Sequence, residues 1–268
     1  MLVVPRLPIS SAWFLGATGT VVASGRRSFF YLYDSVAGKL DRIPKLSGRN
    51  EQSLESCFAA PDGSTLAFAG NDGFVLLFDV KQKHLKSTVK LNGTVRSICF
   101  SGEHEVLASG CDGDVYRFDM RTRRCVERFV NQDGSKTTYL AASDRHMAVG
   151  AYSGVVNLYP DTPSGSTTIT TTTPRAPIKS LLNLRTAINH ARFNCDGNLL
   201  AISSRMEKGA FRLVHMPTAT VFSNWPTGKT PLGYVSSVDF SPESRFVAIG
   251  NDKGKCLLYK LNHYSDEQ

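Results

Sequence analysis

A short hairpin pattern that recurs six times restricts the possible folds of this chain more than any other feature of its sequence. The copy at 106–120, VLASGCDGDVYRFDM, contains an apolar run, an Asp-Gly pair at Asp112-Gly113, a second β-rich run and a polar exit. Glycine accepts the positive φ that tight hairpin turns require, so two such runs around an Asp-Gly pair predict an antiparallel hairpin. Three further Asp-Gly pairs are likewise predicted to form turns, not to bind ligands: Asp62-Gly63, Asp72-Gly73 and Asp196-Gly197.

The copies align on a residue that lies five positions after the turn glycine in five of them; in the first copy Ser28 stands at the glycine position. Five of the six residues in this column are aromatic: Tyr33, Phe78, Phe118, Tyr159, Val214 and Tyr259. Successive members are 45, 40, 41, 55 and 45 residues apart. Four-stranded propeller blades repeat about every 40–45 residues, and an insertion accounts for the long interval. The pattern therefore predicts an all-β fold, a β-propeller of six four-stranded antiparallel blades in a single domain over 1–268.

Three copies resemble the WD-repeat family at the end of the third strand, where that family has a Trp-Asp pair. The pairs are Tyr33-Asp34, Phe78-Asp79 and Phe118-Asp119. In the later copies Pro160, His215 and Lys260 replace the aspartate. The resemblance implies a WD-repeat propeller in which apolar packing replaces much of the hydrogen bonding that joins the blades elsewhere in the family.

Three segments lie outside the repeats. The Thr/Ser/Pro-rich insertion at about 161–177 has little to bury and predicts a mobile surface loop. We expect Leu2 to Pro5 to add the outer strand of the last blade, or to pair with a seventh blade absent from this chain. Asn262 to Gln268 is expected to form a short extension. The sequence leaves open whether six blades close the ring.

Catalytic and metal-binding motifs are absent from the sequence, which predicts a protein that is not an enzyme and needs no cofactor. The cysteines show no metal spacing and are interpreted as small buried side chains in a reducing compartment: Cys57, Cys99, Cys111, Cys125, Cys195 and Cys256. The longest apolar runs are strand length, and the start MLVVPRLPISS does not resemble a secretory signal. The expected location is therefore the cytoplasm or nucleus, with no membrane or small-molecule partner.

The balance of 31 Lys plus Arg against 23 Asp plus Glu gives a net charge of +8 and favours an acidic partner, with nucleic acid first. The predicted turns between second and third strands carry the candidate contacts Arg26, Arg27, Arg205, Lys208, Lys253 and Lys255. The turns after the third strands carry a second basic set: Lys39, Lys81, Lys83, Arg121, Arg123 and Arg124. Phosphate contacts and simple solvation of these side chains are equally compatible with charge alone.

The last third of the chain narrows the resemblance. FRLVHMPTATVFSNWP (Phe211 to Pro226), VSSVDFSPESRFVAIGNDKGKCLLYKLNHYSD (Val235 to Asp266), APIKSLLNL and GVVNLYP are similar to the propeller of the Utp-eighteen family. Those proteins are subunits of the small-subunit processome associated with U-three small nucleolar RNA. The resemblance implies a nucleolar, non-catalytic scaffold in pre-ribosomal RNA processing, with UtpB-type WD-repeat subunits as partners. Direct contact with pre-ribosomal RNA or the U-three particle stays open.

A second interpretation of the sequence is an adaptor of a different class. Phe118-Asp119-Met120-Arg121 resembles the box through which some WD propellers bind the adaptor of a cullin-RING ubiquitin ligase. That resemblance implies a substrate receptor.

Overall fold

The computed structural model of this chain describes residues 7–16, 19–132, 135–161 and 170–262. Over these residues the regular structure is almost entirely β-strand, with a short 3₁₀ turn at Asn71–Gly73. Six antiparallel sheets follow one another along the chain as the blades of a β-propeller, which confirms the predicted fold class. No helix in the described part of the chain is long and apolar enough to span a bilayer.

The chain forms two compact units, and the division falls within the third sheet. The first unit comprises residues 1–111 and 115–127, and the second comprises residues 112–114 and 128–268.

Blades 1 and 2 belong to the first unit, and each has four strands in sequence order. Blade 1 contains β1 (Ile9–Leu15), β2 (Thr20–Gly25), β3 (Phe30–Asp34) and β4 (Lys39–Ile43). Blade 2 contains β5 (Cys57–Ala59), β6 (Thr65–Ala69), β7 (Phe74–Asp79) and β8 (His84–Lys90). Blade 3 contains β9 (Ser97–Ser101), β10 (Glu105–Ser109), β11 (Asp114–Asp119) and β12 (Arg124–Val130).

Blades 4 to 6 belong to the second unit. Blade 4 contains β13 (Thr137–Ala142), β14 (His146–Ala151), β15 (Val156–Pro160) and, beyond β16 (Thr170–Pro174), β17 (Lys179–Leu181). Blade 5 contains β18 (His190–Phe193), β19 (Leu199–Ser203), β20 (Phe211–His215) and β21 (Thr220–Val221). Blade 6 contains β22 (Val235–Phe240), β23 (Phe246–Asn251) and β24 (Cys256–Lys260).

Two sheets depart from the predicted four strands. The third has five, in the order β16-β12-β11-β10-β9, and the sixth has three among the described residues. The insertion is thus not a loop throughout, because 170–174 form β16. A run of β-branched threonines suits an extended strand, and an outer strand such as β12 offers unpaired backbone groups. The predicted role of Leu2 to Pro5, residues 162–169 and most of the tail lie outside the described residues.

The Asp-Gly pairs form the turns that the sequence predicts. Gly63, Gly73, Gly113 and Gly197 each lie between two strands of one blade, with φ between 67° and 84°. At Gly63 a side chain would also collide with the backbone of Leu15, since an added Cβ would lie 2.6 Å from its carbonyl carbon. Glycine is required there for two reasons, backbone conformation and close approach.

Alternation of side chains gives each inner blade two apolar faces. In β6, Leu66 and Phe68 pack into a core with blade 1, whereas Ala67 packs into a core with blade 3. In β19, Leu200 packs with blade 4, and Leu199 packs with blade 6. Successive residues of a strand point to opposite faces, so a continuous apolar run serves two neighbouring blades. The aromatic column contributes to these cores, with Phe118 only 4% exposed.

The prediction that the cysteine side chains are buried is correct for Cys57 and wrong for two others. Cys57 is buried, and burial raises the pKa of its thiol. Cys195 and Cys256 are exposed: Cys195 lies in the turn between β18 and β19, and Cys256 is the first residue of β24. All six are free thiols.

Candidate nucleic-acid interface

Arg26 and Arg27 lie in the turn between β2 and β3 of the first unit, and both are exposed. The turn is held at its base because the N–H of Arg27 donates to the Gly25 carbonyl at 2.7 Å. Arg26 is partly neutralised, since its Nε lies 2.6 Å from Oε2 of Glu55. Of the two, Arg27 presents the more available charge to an acidic partner.

Lys253 and Lys255 lie in the turn between β23 and β24 of the second unit, with both side chains exposed. The buried side chain of Asn251 shapes this turn: its Oδ1 accepts the backbone N–H groups of Lys253 at 3.1 Å and Lys255 at 3.0 Å. The two lysines therefore project from a backbone that is fixed before any partner binds.

Arg205 and Lys208 lie in the turn between β19 and β20, also in the second unit. The N–H of Arg205 donates to Oδ1 of Asn189 at 2.8 Å. Burial, together with the positive charge of Arg205, lowers the pKa of nearby His190 to about 4. The imidazole is therefore neutral at pH 7 and adds no charge to this surface.

The second basic set lies wholly in the first unit, and its members are partly compensated. Lys83 Nζ lies 2.6 Å and Lys39 Nζ lies 3.3 Å from the Asp41 carboxylate, which joins the turn of blade 2 to β4 of blade 1. Hydrogen bonds from Lys83 and then Lys39 hold the pKa of Asp41 below its ordinary value. The structure thus brings two predicted cations together on one carboxylate, which compensates part of their charge.

Arg121 and Arg123 line a cavity of about 470 Å³ between blades 2 and 3. Lys86 and two acidic residues, Asp62 and Glu103, line the same cavity. Its charge is therefore mixed. The remaining members of the second set, Lys81 and Arg124, are exposed in or next to their turns.

The second unit contains a cavity of about 570 Å³ with a different balance of charge, called the basic cavity below. It is lined by Lys208, Gly209, Arg212 and the loop 226–233. Lys229 supplies a third cation from that loop, and no carboxylate is among the lining residues. Sequence reasoning identified Lys208 but missed Arg212 and Lys229. The available signal was the segment Thr227-Gly228-Lys229-Thr230 between two prolines.

Hydrogen bonds fix both walls of the basic cavity. The N–H of Gly209 donates to the carbonyl of Gly233 at 2.8 Å, which ties the Lys208 turn to the end of the loop. Within the loop the Thr227 N–H donates to the Thr230 hydroxyl oxygen at 3.0 Å. The Thr230 N–H in turn donates to the Thr227 carbonyl at 2.9 Å. Arg212 is positioned by its Nη1, which donates to the Phe211 carbonyl at 2.7 Å.

Metal chemistry finds no support in the described part of the chain, where no three His, Cys, Asp or Glu side chains come together as a metal site would need. The arrangement instead offers positive charge on rigid β-turns and in one cavity, which can bind anions without transforming them.

Comparison with known proteins gives a consistent result. The model for the WD domain, G-beta repeat, matches residues 84–119. Over 265 residues the chain is 43% identical to the U3 small nucleolar RNA-associated protein 18 homolog of Arabidopsis thaliana, which covers 97% of this chain and 47% of that protein. The human homolog is 39% identical over 266 residues, with the same shares. The protein of that name from Saccharomyces cerevisiae is 30% identical over 288 residues, or 91% of this chain and 48% of its own length. The chain thus spans about half the length of these curated relatives.

Proposed function

We propose that this chain, which belongs to the WD-repeat family of U3 small nucleolar RNA-associated protein 18, is a non-catalytic scaffold of the small-subunit processome in the nucleolus. It acts there in pre-ribosomal RNA processing and small-subunit biogenesis. The observation that carries the proposal is the identity of 43% over 97% of the chain with a relative named for its association with U3 small nucleolar RNA. The similarity runs through all six blades, so it supports a function of the propeller as a whole more than one of a local motif.

The architecture supports a holding role. Buried apolar cores join blades 1 to 3 in the first unit and blades 4 to 6 in the second. Close-packed interiors of this kind resist deformation, so the turns at the blade ends keep their positions when a partner binds. We expect the partners to be UtpB-type WD-repeat subunits together with pre-ribosomal RNA or the U3 particle.

Exposed cations on rigid turns support direct RNA contact. Arg27 in the first unit and Lys253 and Lys255 in the second are exposed and form no ion pair with any described residue. Contacts of this type neutralise phosphates and release counterions, so they add affinity that falls with salt but carries no sequence preference.

Purification of the tagged protein from cells tests the scaffold role. We expect U3 small nucleolar RNA and pre-ribosomal RNA to co-purify with it, and depletion to cause unprocessed pre-ribosomal RNA to accumulate. Recovery of a cullin-RING adaptor without either RNA would overturn the proposal in favour of a ubiquitin-ligase receptor.

Salt titration of RNA binding tests the contact residues separately. Charge reversal at Arg26, Arg27, Lys253 and Lys255 should reduce the slope of log affinity against log salt for a pre-ribosomal fragment. An unchanged slope would assign these side chains to ordinary solvation.

A further inference from the structure

We propose that the basic cavity binds a phosphate group of an RNA strand. This inference rests on the proposed function, since it takes RNA as the partner and names the place where one phosphodiester is held. Of the three cations in the basic cavity, only Lys208 was among the candidate contacts predicted from the sequence.

The basic cavity contains positive charge that no neighbouring carboxylate compensates among the described residues. Lys208, Arg212 and Lys229 line one cavity, and none of them forms an ion pair with a described residue. Two carboxylates come near its walls, since Glu207 precedes Lys208 in the chain and Asp252 Oδ1 would lie 2.9 Å from a Cβ added at Gly233, but neither residue lines the cavity. Asp252 is already engaged, because its Oδ1 accepts the Tyr234 N–H at 3.1 Å. Three like charges in one concave site create a positive potential that an anion relieves.

The shape of the basic cavity also suits a phosphate group. An added Cβ at Gly228 would meet no atom within 4 Å, so the loop backbone is open to close approach at its tip. Thr227 and Thr230 of the same loop also line the cavity, and their hydroxyl groups hydrogen-bond each other at 3.1 Å. Phosphate oxygens accept hydrogen bonds from ammonium, guanidinium and hydroxyl donors. A volume of about 570 Å³ accommodates a phosphate with parts of the sugars on either side.

The surroundings favour a strand over a free phosphorylated molecule. Tyr234, next to the cavity residue Gly233, accepts the Asp252 N–H through its carbonyl at 3.0 Å. The turn that carries Lys253 and Lys255 therefore begins beside the end of the cavity. A linear polyanion can contact the cavity and that turn together, whereas a single phosphate cannot. No aromatic side chain lines the cavity, so we expect binding without preference for a base.

Fluorescence anisotropy with a labelled 20-nucleotide oligouridylate tests the proposal on the purified chain at several salt concentrations. The variant is K208A/K229A. The matched control is K136A/K179A, which removes two exposed lysines of the same unit that lie outside the cavity. A second variant, G228D, places a carboxylate in the open space at the loop tip without removing a cation.

We expect K208A/K229A and G228D each to weaken binding about tenfold near 50 mM salt, and K208A/K229A to reduce the salt slope by about 0.7, the value for one phosphate on a single strand. The control should change affinity less than twofold. Equal losses for K208A/K229A and the control would overturn the cavity assignment. A circular dichroism melt of each variant shows whether a loss of affinity is due to unfolding. If K208A/K229A is unfolded, the affinity of G228D decides whether the cavity binds the oligonucleotide.

Two further measurements distinguish an RNA phosphate from a free phosphate, and a failure of this site from a failure of the scaffold role. Titration with inorganic phosphate and with AMP should compete only weakly with the oligonucleotide. Tight binding of either one at the cavity, with no oligonucleotide binding, would overturn the RNA assignment. Co-purification of K208A/K229A with U3 small nucleolar RNA is measured in parallel, so a failure of this site is distinguishable from a failure of the scaffold role.

Discussion

The third strands of blades 3 and 4 occupy the same place in the repeat but contain very different chemistry. In β11 the side chain of Arg117 has 0% exposure, with Nη1 lying 2.5 Å from Glu105 Oε2 and Nε lying 3.2 Å from Glu127 Oε2. In β15 the corresponding residue is Leu158, which packs in the apolar core between blades 4 and 5. One blade thus buries an ion network where the other buries a hydrocarbon.

The next position differs in its polarity. Phe118 is apolar and packs with blade 2, whereas Tyr159 is buried with a hydroxyl that donates to Asn131 Oδ1 at 2.8 Å. The amide of Asn157 donates to the same oxygen at 2.8 Å, and the Gln132 N–H donates to the Tyr159 hydroxyl at 3.2 Å. Blade 4 therefore has a buried amide and phenol network of its own.

The last position differs in how the strand ends. Asp119 accepts the Arg121 N–H at 2.8 Å and the Thr122 hydroxyl at 3.1 Å, which caps the following turn. Pro160 has no side-chain acceptor, and its carbonyl accepts Arg175 Nη2 at 2.6 Å. The comparison teaches that the repeat requires strand length and an apolar column, while the polar groups at the same positions are replaceable.

Placing a charge in the aromatic column should destabilise the fold most. F118D should cost more than about 4 kcal/mol, because an unpaired carboxylate would be buried among apolar side chains. Thermal unfolding followed by circular dichroism should show loss of the cooperative transition. V36D, at a residue that is 86% exposed, is the control and should melt like the native protein. An unchanged melting temperature for F118D would contradict the role of this column.

A second variant breaks the buried network that distinguishes blade 3. R117A should lower the free energy of unfolding by about 3–5 kcal/mol, since it leaves two partly buried carboxylates without their cation. The triple variant R117L/E105Q/E127Q, which imitates the leucine of blade 4, should recover most of that loss in urea denaturation. If the triple variant is as unstable as R117A, the comparison with Leu158 is wrong.

A third variant tests the network of blade 4. Y159F should cost about 1–2 kcal/mol, because the Gln132 N–H loses its acceptor and Asn131 loses a donor. Y152F removes a hydroxyl from a tyrosine that is 65% exposed and should change the urea midpoint very little. Equal effects of the two would show that the buried phenol adds nothing.

The smallest change in stability should follow from loss of the Asp119 carboxylate, which caps a turn in blade 3 and has no counterpart at Pro160 in blade 4. The hydrogen bond from the Arg121 N–H holds the pKa of the Asp119 carboxyl below its ordinary value. The ionised Asp119 carboxylate therefore stabilises the fold above its unfolded pKa of about 3.9, and this stabilisation is lost as the pH falls through its folded pKa. D119N should cost about 0.5–1 kcal/mol at pH 7, and the difference from the native protein should shrink below about pH 4. A difference that is constant over this range would exclude the carboxylate as its source.

Strand positions were predictable because they depend on short-range pattern. Alternation, the Asp-Gly pairs and the aromatic column predicted the repeated hairpins, and β10 and β11 form the one at 106–120 as expected. The strand at Thr170–Pro174 was missed because its pairing partner, β12, is 40 or more residues away in the chain. No local signal tells a threonine-rich strand from a threonine-rich loop.

The candidate interface was predictable only in part. Turn positions of the basic residues follow from the repeat, so Lys253 and Lys255 are exposed as expected. Charge compensation does not follow from it: Asp41 binds Lys83 from another blade, and Arg212 and Lys229 join Lys208 from separate segments.

The fold class, the six repeats and the positions of the basic turn residues follow from the sequence, since each depends on residues within one hairpin. Packing in three dimensions buries Arg117 between two carboxylates and brings three cations into one cavity whose lining residues include no carboxylate. These outcomes depend on side chains that are distant in sequence and meet through packing, and a net charge of +8 is the same however the pairs are formed.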